Sequence, residues 1–344
     1  MNKHLNLFAN CFLTKGANRS TIFDYQREDL FFIENVHYDF LMQCKIKPFN
    51  EVQSEFKEKL SPDELEEFIE YCESNELTFW TETPQYFPEV DVKFEHASLI
   101  TNAIIDINAS SKHNFSHIFQ ELQQVGCKDV QFRFYDTFPL AELEKVLQYS
   151  RLNQHGQSVE LYIKASDEYD EETLVGLTHK YIYIKSIVVH SSHKSELFKI
   201  YSHALRAGMG NIIFTEQEID SSSHCGFINS ATFNFNNIAA YMEAKLYNSC
   251  LNRKVGIDVD GLIKNCPTQN KSFGNIQTDS LLEICLSKDF QELWSINKDQ
   301  INVCKDCEFR YICSDCRMFL GDDESIFSKP KKCHYDPYTN IWEN

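Results

Sequence analysis

The sequence predicts an α/β protein in which a small module of strands and helices precedes an open or partial βα barrel and a cysteine-rich C-terminal domain. The chain has 344 residues, which at roughly 100 to 200 residues per domain indicates two or three domains. Five β-like runs recur at nearly equal spacing in the middle of the chain, and eight of the 13 cysteines lie in the last 95 residues. We therefore place the three parts at residues 1–88, 89–240 and 241–344.

The charge and hydropathy of the chain exclude several classes of partner. With 33 basic and 51 acidic side chains the net charge is −18, which disfavours nucleic acid as a main partner. No apolar stretch approaches the ~18 residues that span a bilayer. Asn6 and Asn10 interrupt the N-terminal apolar run before it could form the core of a signal peptide. We expect a cytoplasmic protein with no nucleic-acid and no membrane partner.

The first 88 residues carry strand and helix signals. Three short strands are predicted within residues 5–13, 20–25 and 29–33, and a further strand within residues 77–82. A helix begins after Ser61, because Pro62 suits the first helical position and Glu64 completes a capping box. Residues 51–95 contain 14 acidic and 3 basic side chains. This charge would attract a cationic partner, or it is a solvated helix face that aids solubility.

The middle of the chain alternates strands and helices. The strands are predicted to begin at spacings of 30, 29, 25 and 28 residues, with amphipathic helices between them, and they start at Ile100, Val130, Val159, Ile184 and Ile212. A sixth strand within residues 226–235 would still leave the set short of the eight strands of a closed barrel. An open or partial barrel follows. Beyond it, Asp260-Gly261 predicts a hairpin turn, and residues 280–294 predict a helix.

The cysteines near the C-terminus have the spacing of metal ligands. Seven of them follow the order Cys250, Cys266, Cys304-x2-Cys307, Cys313-x2-Cys316 and Cys333. Two thiolates separated by two residues converge on one metal centre, and soft thiolates select zinc or iron-sulfur clusters. Disulfides are disfavoured in a reducing cytosol. Five other cysteines stand singly in apolar surroundings, where a thiol is a small hydrophobic group: Cys11, Cys44, Cys72, Cys127 and Cys285.

The number of cysteine ligands does not decide between zinc and iron-sulfur clusters. Seven thiolates match neither the four ligands of one structural zinc nor the eight of two. Two four-iron clusters also take eight ligands, but one iron can be left to another residue, to water or to a substrate. Cys225, in the run His224-Cys225-Gly226, is a candidate eighth ligand.

This cysteine pattern resembles the SPASM domain, an auxiliary-cluster module at the C-terminus of many peptide-modifying radical SAM enzymes. The chain has x2 where the family usually has x3 before Cys316. The resemblance implies two 4Fe-4S clusters. It assigns Cys250, Cys266 and Cys316 to one cluster, and it assigns the other to Cys304, Cys307, Cys313 and Cys333.

The other parts of the chain resemble the same enzymes in outline. Their catalytic domain is a radical SAM-like partial βα barrel, and residues 1–88 resemble the winged-helix-like module that binds the leader of a precursor peptide by β-strand addition. The radical SAM motif C-x3-C-x2-C is absent from residues 108–120, just after the first barrel strand, and from the rest of the chain. We therefore expect no SAM. His113 and His117 are predicted to be polar-face residues of a helix rather than substitute ligands.

The combination resembles the SPASM-domain peptide maturases of grasp-with-spasm systems. This resemblance implies a precursor peptide and an ATP-grasp ligase as partners, in the maturation of a ribosomally made graspetide. The alternative is a non-catalytic scaffold for the ligase whose tail is held by zinc or an iron-sulfur cluster. No catalytic residue is identified, since Ser110, Ser111, His190 and His193 form no recognisable nucleophile and base pair.

Overall fold

The computed structural model describes residues 3–152, 158–202, 207–225, 238–321 and 325–343, together with residues 228, 230 and 233. The chain forms two compact units. The first unit contains Met1–Phe94, Phe227–Cys250 and Ser295–Asn344, and the second contains Glu95–Gly226 and Leu251–Trp294. No helix in the described ranges combines the length and the apolar character needed to cross a membrane.

Four strands, three helices and a fifth strand follow one another in the first 94 residues, whereas strands and helices alternate through most of the second unit. The first 94 residues contain β1 (His4–Leu7), β2 (Cys11–Lys15), β3 (Arg19–Asp24), β4 (Asp29–Glu34), α1 (Asn35–Cys44), α2 (Phe49–Phe56), α3 (Pro62–Ser74) and β5 (Thr78–Thr81). The second unit begins with β6 (Asn102–Ile107), α4 (Phe115–Gln124), β7 (Asp129–Phe134), α5 (Leu140–Leu152), β8 (Ser158–Lys164), α6 (Glu171–Lys180), β9 (Ile184–His190), β10 (Glu196–Ser202) and β11 (Ala207–Phe214). The remaining elements are α7 (Ile238–Leu246), β12 (Lys254–Ile257), β13 (Leu262–Lys264), β14 (Gly274–Asn275), α8 (Leu281–Leu286), α9 (Lys288–Gln291), β15 (Tyr335–Asp336) and β16 (Ile341–Trp342).

The N-terminal part of the first unit has two small antiparallel sheets. Strands β2, β3 and β4 form one sheet in that order, and β1 pairs with β5 in the other. The single strand predicted within residues 5–13 is therefore wrong, because the run divides between the two sheets. Asn10 makes the break: its side chain donates to Asp24 (2.6 Å) and its carbonyl accepts from the Tyr25 amide (3.0 Å).

Helix α3 begins as its sequence predicts. The Ser61 hydroxyl accepts from the Glu64 amide (3.3 Å), and the Glu64 carboxylate accepts from the Ser61 amide (2.8 Å), so the capping box is confirmed. Leu65, Phe68 and Cys72 of this helix are buried. They join a core that also contains the predicted apolar cysteines Cys11 and Cys44.

The second unit is built on a large mixed sheet. In the described residues its order is β10-β11-β9-β8-β7-β6-β12-β13-β14. Strands β6, β7, β8, β9 and β11 contain the five predicted barrel strands, which pair in parallel and are confirmed, and β12 adds in parallel beside β6. The candidate sixth strand at residues 226–235 lies largely outside the described residues.

Two predictions in this unit differ from the structure. The βα rhythm predicts a helix before Ile212, but an antiparallel β10–β11 pair occupies that stretch. The helix predicted over residues 280–294 divides into α8, α9 and a 3₁₀ turn. Ser287 causes this break, because its extended backbone ends α8 while its hydroxyl caps α9 by accepting from the Phe290 amide (3.2 Å).

The hairpin predicted at Asp260-Gly261 is confirmed. Strands β12 and β13 pair antiparallel on either side of it, and the Gly261 amide donates to the Asp258 carbonyl (2.9 Å). Gly261 has φ +82°, a left-handed conformation that glycine adopts without steric cost.

A buried ion pair lies near the carboxyl ends of the two central strands β6 and β7. The Arg133 Nε and Nη2 atoms donate to the two carboxylate oxygens of Asp106 at 2.7 and 2.8 Å. The two side chains are 3% and 1% exposed. Both charges are therefore removed from water, and each depends on the other for compensation.

We expect Arg133→Met to destabilise the protein by about 3 to 5 kcal/mol, because it leaves the Asp106 carboxylate buried without a partner. The double variant Asp106→Leu/Arg133→Met should recover most of this loss. Urea unfolding of the three proteins measures the effect. Lys185→Met, which removes an exposed pair with Asp129, is the control and should cost less than about 1 kcal/mol. A double variant as unstable as Arg133→Met would contradict the charge argument.

Candidate metal centre

Four of the predicted ligands lie together in the first unit. Cys307, Cys313 and Cys333 pack against one hydrophobic cluster that contains Phe23, Phe233, Phe309, Ile312 and Tyr335. Cys304 begins a short 3₁₀ turn that ends at Asp306, and its thiol interacts electrostatically with those of Cys313 and Cys333. The structure therefore brings close together the four cysteines that the resemblance assigns to a single cluster, with Cys304 buried and the other three partly buried.

Burial makes the thiols of Cys304, Cys307 and Cys313 hard to ionise without a metal. It raises the pKa of Cys304 to about 12, raises the pKa of Cys307 well above its usual value, and also raises the pKa of Cys313. The Lys298 ammonium opposes the rise in all three pKa values. Since only thiolates ligate metals, loading this set would release protons and would be favoured at higher pH.

A second turn of the chain is joined to the cysteine segment around Cys313 to Cys316. The Asn248 side chain donates to the Asp315 carboxylate (2.6 Å), and its carbonyl oxygen accepts from the Cys250 amide (3.0 Å). The Ser249 hydroxyl donates to the Cys313 carbonyl (3.3 Å) and accepts from the Asp315 amide (3.0 Å). These bonds hold the backbone that carries Cys250 beside the backbone that carries Cys316.

The loop between Cys307 and Cys313 is anchored to the N-terminal sheet through Glu308. The buried Glu308 carboxylate accepts from the Arg19 guanidinium (2.7 Å) and the Tyr335 hydroxyl (2.6 Å). Its backbone carbonyl accepts from the Thr21 hydroxyl (3.1 Å). Burial and the hydrogen bond to Glu308 raise the pKa of Tyr335, so this phenol stays protonated as a donor. The β2–β3 hairpin therefore fixes the residue that follows Cys307.

The remaining predicted ligands are Cys266 and Cys225, and both belong to the second unit. Cys266 is buried. It interacts electrostatically with Arg133, which lies on β7, and with Tyr135, which directly follows that strand. Cys225 is partly buried. The assignment of Cys250, Cys266 and Cys316 to one cluster, and of Cys225 as an eighth ligand, stays a prediction.

The chemistry of the four-cysteine set fits a thiolate-bound metal, since four neighbouring cysteines, one buried and three partly buried, lie beside a buried cation. With the side chains as they stand, the described residues contain no group of three or more His, Cys, Asp or Glu that could hold a metal ion. Coordination would thus require the cysteine side chains to rotate towards a common centre.

The histidines and serines considered as candidate site residues in the second unit have ordinary structural contacts. His113 precedes α4 rather than lying on it, which corrects the predicted placement on a helix, and its Nε2 lies 2.8 Å from the Asp106 carbonyl. His190 is buried with its Nε2 2.9 Å from the Phe134 carbonyl. The Ser111 hydroxyl donates to the Val259 carbonyl (2.8 Å).

Sequence reasoning missed Lys298 and Glu308 as parts of this site. The position of Glu308, directly after Cys307 and before Phe309, is a weak sign of a structural role. If this segment is buried, the charge of the glutamate needs a partner. Lys298 lies in the polar run Asn297 to Gln300, which gives no sign of burial. Only the fold reveals its position.

Comparison with known proteins supports the C-terminal assignment. Residues 249–308 match the SPASM family, described as an iron-sulfur cluster-binding domain. This match confirms that the chain contains a SPASM domain. It includes Cys250, Cys266, Cys304 and Cys307 and ends before the last three predicted ligands.

The chain also aligns with crystal structures of SuiB from Streptococcus suis. SuiB bound to S-adenosylmethionine is 11% identical, with 95% of this chain and 99% of SuiB covered and a TM-score of 0.40. SuiB bound to its precursor peptide SuiA is 11% identical, with 96% and 99% covered and a TM-score of 0.33. These TM-scores are too low for the likeness to carry an argument. Among curated proteins, none matches this sequence.

We expect Gly16→Ala to destabilise the first unit by about 1 to 3 kcal/mol, because the added methyl group overpacks the hairpin contact. A Cβ at Gly16 would lie 2.5 Å from the Arg19 carbonyl oxygen and 3.0 Å from the Glu308 Cβ and amide nitrogen. Thermal unfolding measures the change. Gly176→Ala is the matched control, since nothing lies within 4 Å of a Cβ there, and it should be neutral or slightly stabilising. Equal behaviour of the two variants would show that the hairpin does not pack tightly on Glu308.

Proposed function

We propose that this protein is a maturation component for a ribosomally synthesised, ATP-grasp-modified peptide of the graspetide type. In this proposal residues 1–88 form a winged-helix-like module that binds the precursor peptide, and residues 89–240 form a radical SAM-like partial βα barrel. Residues 241–344 carry two 4Fe-4S clusters. The ATP-grasp ligase is the second partner, the protein works in the cytoplasm, and SAM-dependent chemistry is not assigned because the C-x3-C-x2-C motif is absent.

One observation carries this proposal. The first unit contains both the four-cysteine set and a sheet edge of the kind to which an extended peptide can add as a strand. Strand β4 pairs with β3 and, in the described residues, with no other strand. Its Phe32 ring is 5.9 Å from the ring of Phe309, which lies between Cys307 and Cys313. A peptide added to this edge would run beside the loop that carries the cysteines.

The β4 edge has the properties that strand addition requires. An edge strand presents unpaired backbone groups to an extended peptide, and side-chain contacts beside it supply selectivity. Phe32 is 45% exposed, and Arg19 lies over its ring at 3.9 Å. Phe31 contacts Tyr71 of helix α3 at 6.3 Å between ring centroids, so strand and helix together form an apolar and partly aromatic surface.

The charge of α3 indicates the kind of peptide that binds best. Glu66, Glu67 and Glu70 are exposed on α3, whose Tyr71 contacts Phe31 of β4. A precursor with basic residues next to its extended segment would be attracted to this face. The alternative, a solvated acidic face that only aids solubility, predicts no effect of these charges on binding.

The proposed clusters would supply electron transfer, or would hold the core of the peptide while the ligase acts on it. The chain's own contribution is a mainly apolar surrounding for these cysteines, fixed by the N-terminal hairpin. Such a surrounding is also typical of a purely structural site. A non-catalytic scaffold with zinc or an iron-sulfur cluster in the tail is therefore the second candidate function.

We expect anaerobically purified protein to contain iron and acid-labile sulfide and to be brown. Cys313→Ala should remove about half of both, because it takes one ligand from one of the two proposed clusters. Cys44→Ala is the control, since Cys44 is buried in the apolar core of the same unit, and it should keep the full content. Elemental analysis with the visible spectrum decides. Stoichiometric zinc in a colourless protein would favour the scaffold, and a protein without any metal would refute both forms.

We expect the triple variant Glu66→Gln/Glu67→Gln/Glu70→Gln to bind the proposed precursor peptide several-fold more weakly than the parent. The reason is the loss of long-range attraction, so added salt should weaken the parent more than the variant. Fluorescence anisotropy of the labelled peptide measures the affinity. Glu171→Gln/Glu172→Gln, on the exposed start of α6, tests a similar change in charge elsewhere and should leave binding unchanged. If the triple variant binds the peptide as tightly as the parent does, the acidic face contributes only to solubility.

A further inference from the structure

Lys298 is a buried cation beside the four-cysteine set. The residue is 4% exposed. Its ammonium donates to the carbonyl oxygens of Cys313 (2.8 Å) and Ser314 (2.9 Å), and its charge acts on the Cys313 thiol. Lysine side chains are rarely buried so completely unless an opposite charge accompanies them.

The carboxylates near Lys298 are already neutralised by other cations. Asp315 pairs with the Arg317 guanidinium at 2.6 Å, with both side chains fully buried. Asp299 pairs with Arg310 at 2.8 Å. In the described part of the chain, no carboxylate lies within 4.0 Å of the Lys298 ammonium. Lys298 is therefore a buried positive charge that forms no direct ion pair with a carboxylate.

Asp315 and the cysteines are the sources of negative charge that act on Lys298, and Cys313 acts more strongly than Asp315. The thiols that act on Lys298 most strongly are those of Cys313 and Cys304. As protonated thiols they carry no charge, and the ammonium would be buried with only neutral carbonyl oxygens around it, which is costly. As metal-bound thiolates they would give the centre a net negative charge that the ammonium compensates.

We propose that Lys298 is the built-in counter-charge of the metal centre held by Cys304, Cys307, Cys313 and Cys333. It is a positioning residue with two actions. It fixes the Cys313 and Ser314 carbonyls and so sets the direction of the Cys313 side chain, and its charge favours both metal retention and one-electron reduction of the centre. This inference rests on the proposed function, since it requires that the centre is loaded.

A purely structural role for Lys298 makes a different prediction. If the ammonium only caps two backbone carbonyls, its removal would weaken the protein equally with and without metal. If it is a counter-charge, its removal weakens the loaded protein and leaves the metal-stripped protein as stable as before or more stable, because an uncompensated buried charge has been deleted.

The test compares Lys298→Met, which removes charge and donor, with Lys298→Gln, which removes the charge but keeps an amide donor. Lys305→Met is the control, since Lys305 lies between Cys304 and Cys307 but is exposed. Each protein is prepared anaerobically and analysed for iron, sulfide and zinc. Release of metal to a chelator, midpoint potentials by redox titration, and unfolding of loaded and stripped protein are then measured.

We expect both Lys298 variants to lose metal roughly 10- to 100-fold faster than the parent, as outer-shell substitutions do. One midpoint potential should become more negative, because a positive charge next to the centre favours the reduced state. Lys305→Met should match the parent. If the protein contains zinc, which is not redox-active, the test consists of the chelator and unfolding measurements without the redox titration.

Three results would overturn this inference while leaving the proposed function intact. The first is that Lys298→Met retains metal and has midpoint potentials like those of Lys305→Met. The second is that Lys298→Gln retains metal and has potentials like those of the parent. The third is that either Lys298 variant is unfolded after metal removal under conditions in which the metal-stripped parent is folded. A parent protein that binds no metal would instead overturn the proposed function itself.

Discussion

The pairing of the buried Glu308 carboxylate is the constraint on which the geometry of the cysteine tail depends. A carboxylate that is 2% exposed needs charged or hydrogen-bonding partners, and here they come from positions 19 and 335. Glu308 directly follows Cys307, so the same contacts place a predicted metal ligand. The tail is thereby folded onto the sheet formed by β2, β3 and β4, and it is not a separate appendage.

Local signals in the sequence predicted much of the fold correctly. The parallel strands of the large sheet, the capping box at Ser61 and the hairpin at Asp260-Gly261 all depend on residues close together in the chain. Apolar periodicity and turn chemistry act at that range, so they can be recognised without knowledge of the fold. The cysteine spacing is local in the same sense, and it led directly to the SPASM domain that the family match confirms.

What the sequence did not predict depends on long-range contacts or on competition between local signals. Residues 280–294 have an apolar pattern typical of one helix, but Ser287 hydrogen-bonds to the backbone and divides it. The union of residues 1–94 with residues 295–344 in one unit depends on Arg19, Thr21 and Tyr335 meeting Glu308. Lys298 gave no signal either, because burial of a lysine is decided by the packing of distant segments.

These contacts link metal loading to the peptide-binding edge in the proposed function. Unloaded, the cysteine loop would contain protonated thiols beside an uncompensated ammonium, which opposes its closure. Loaded, the thiolates would neutralise Lys298, and the loop would be held in the position where Glu308 accepts from Arg19. The Arg19 guanidinium also lies over the Phe32 ring of β4. Fixing the position of the loop would therefore also fix the position of the edge strand. A centre in the tail could therefore influence peptide binding by stabilising the surface on which the peptide lies, even where it takes no part in bond formation.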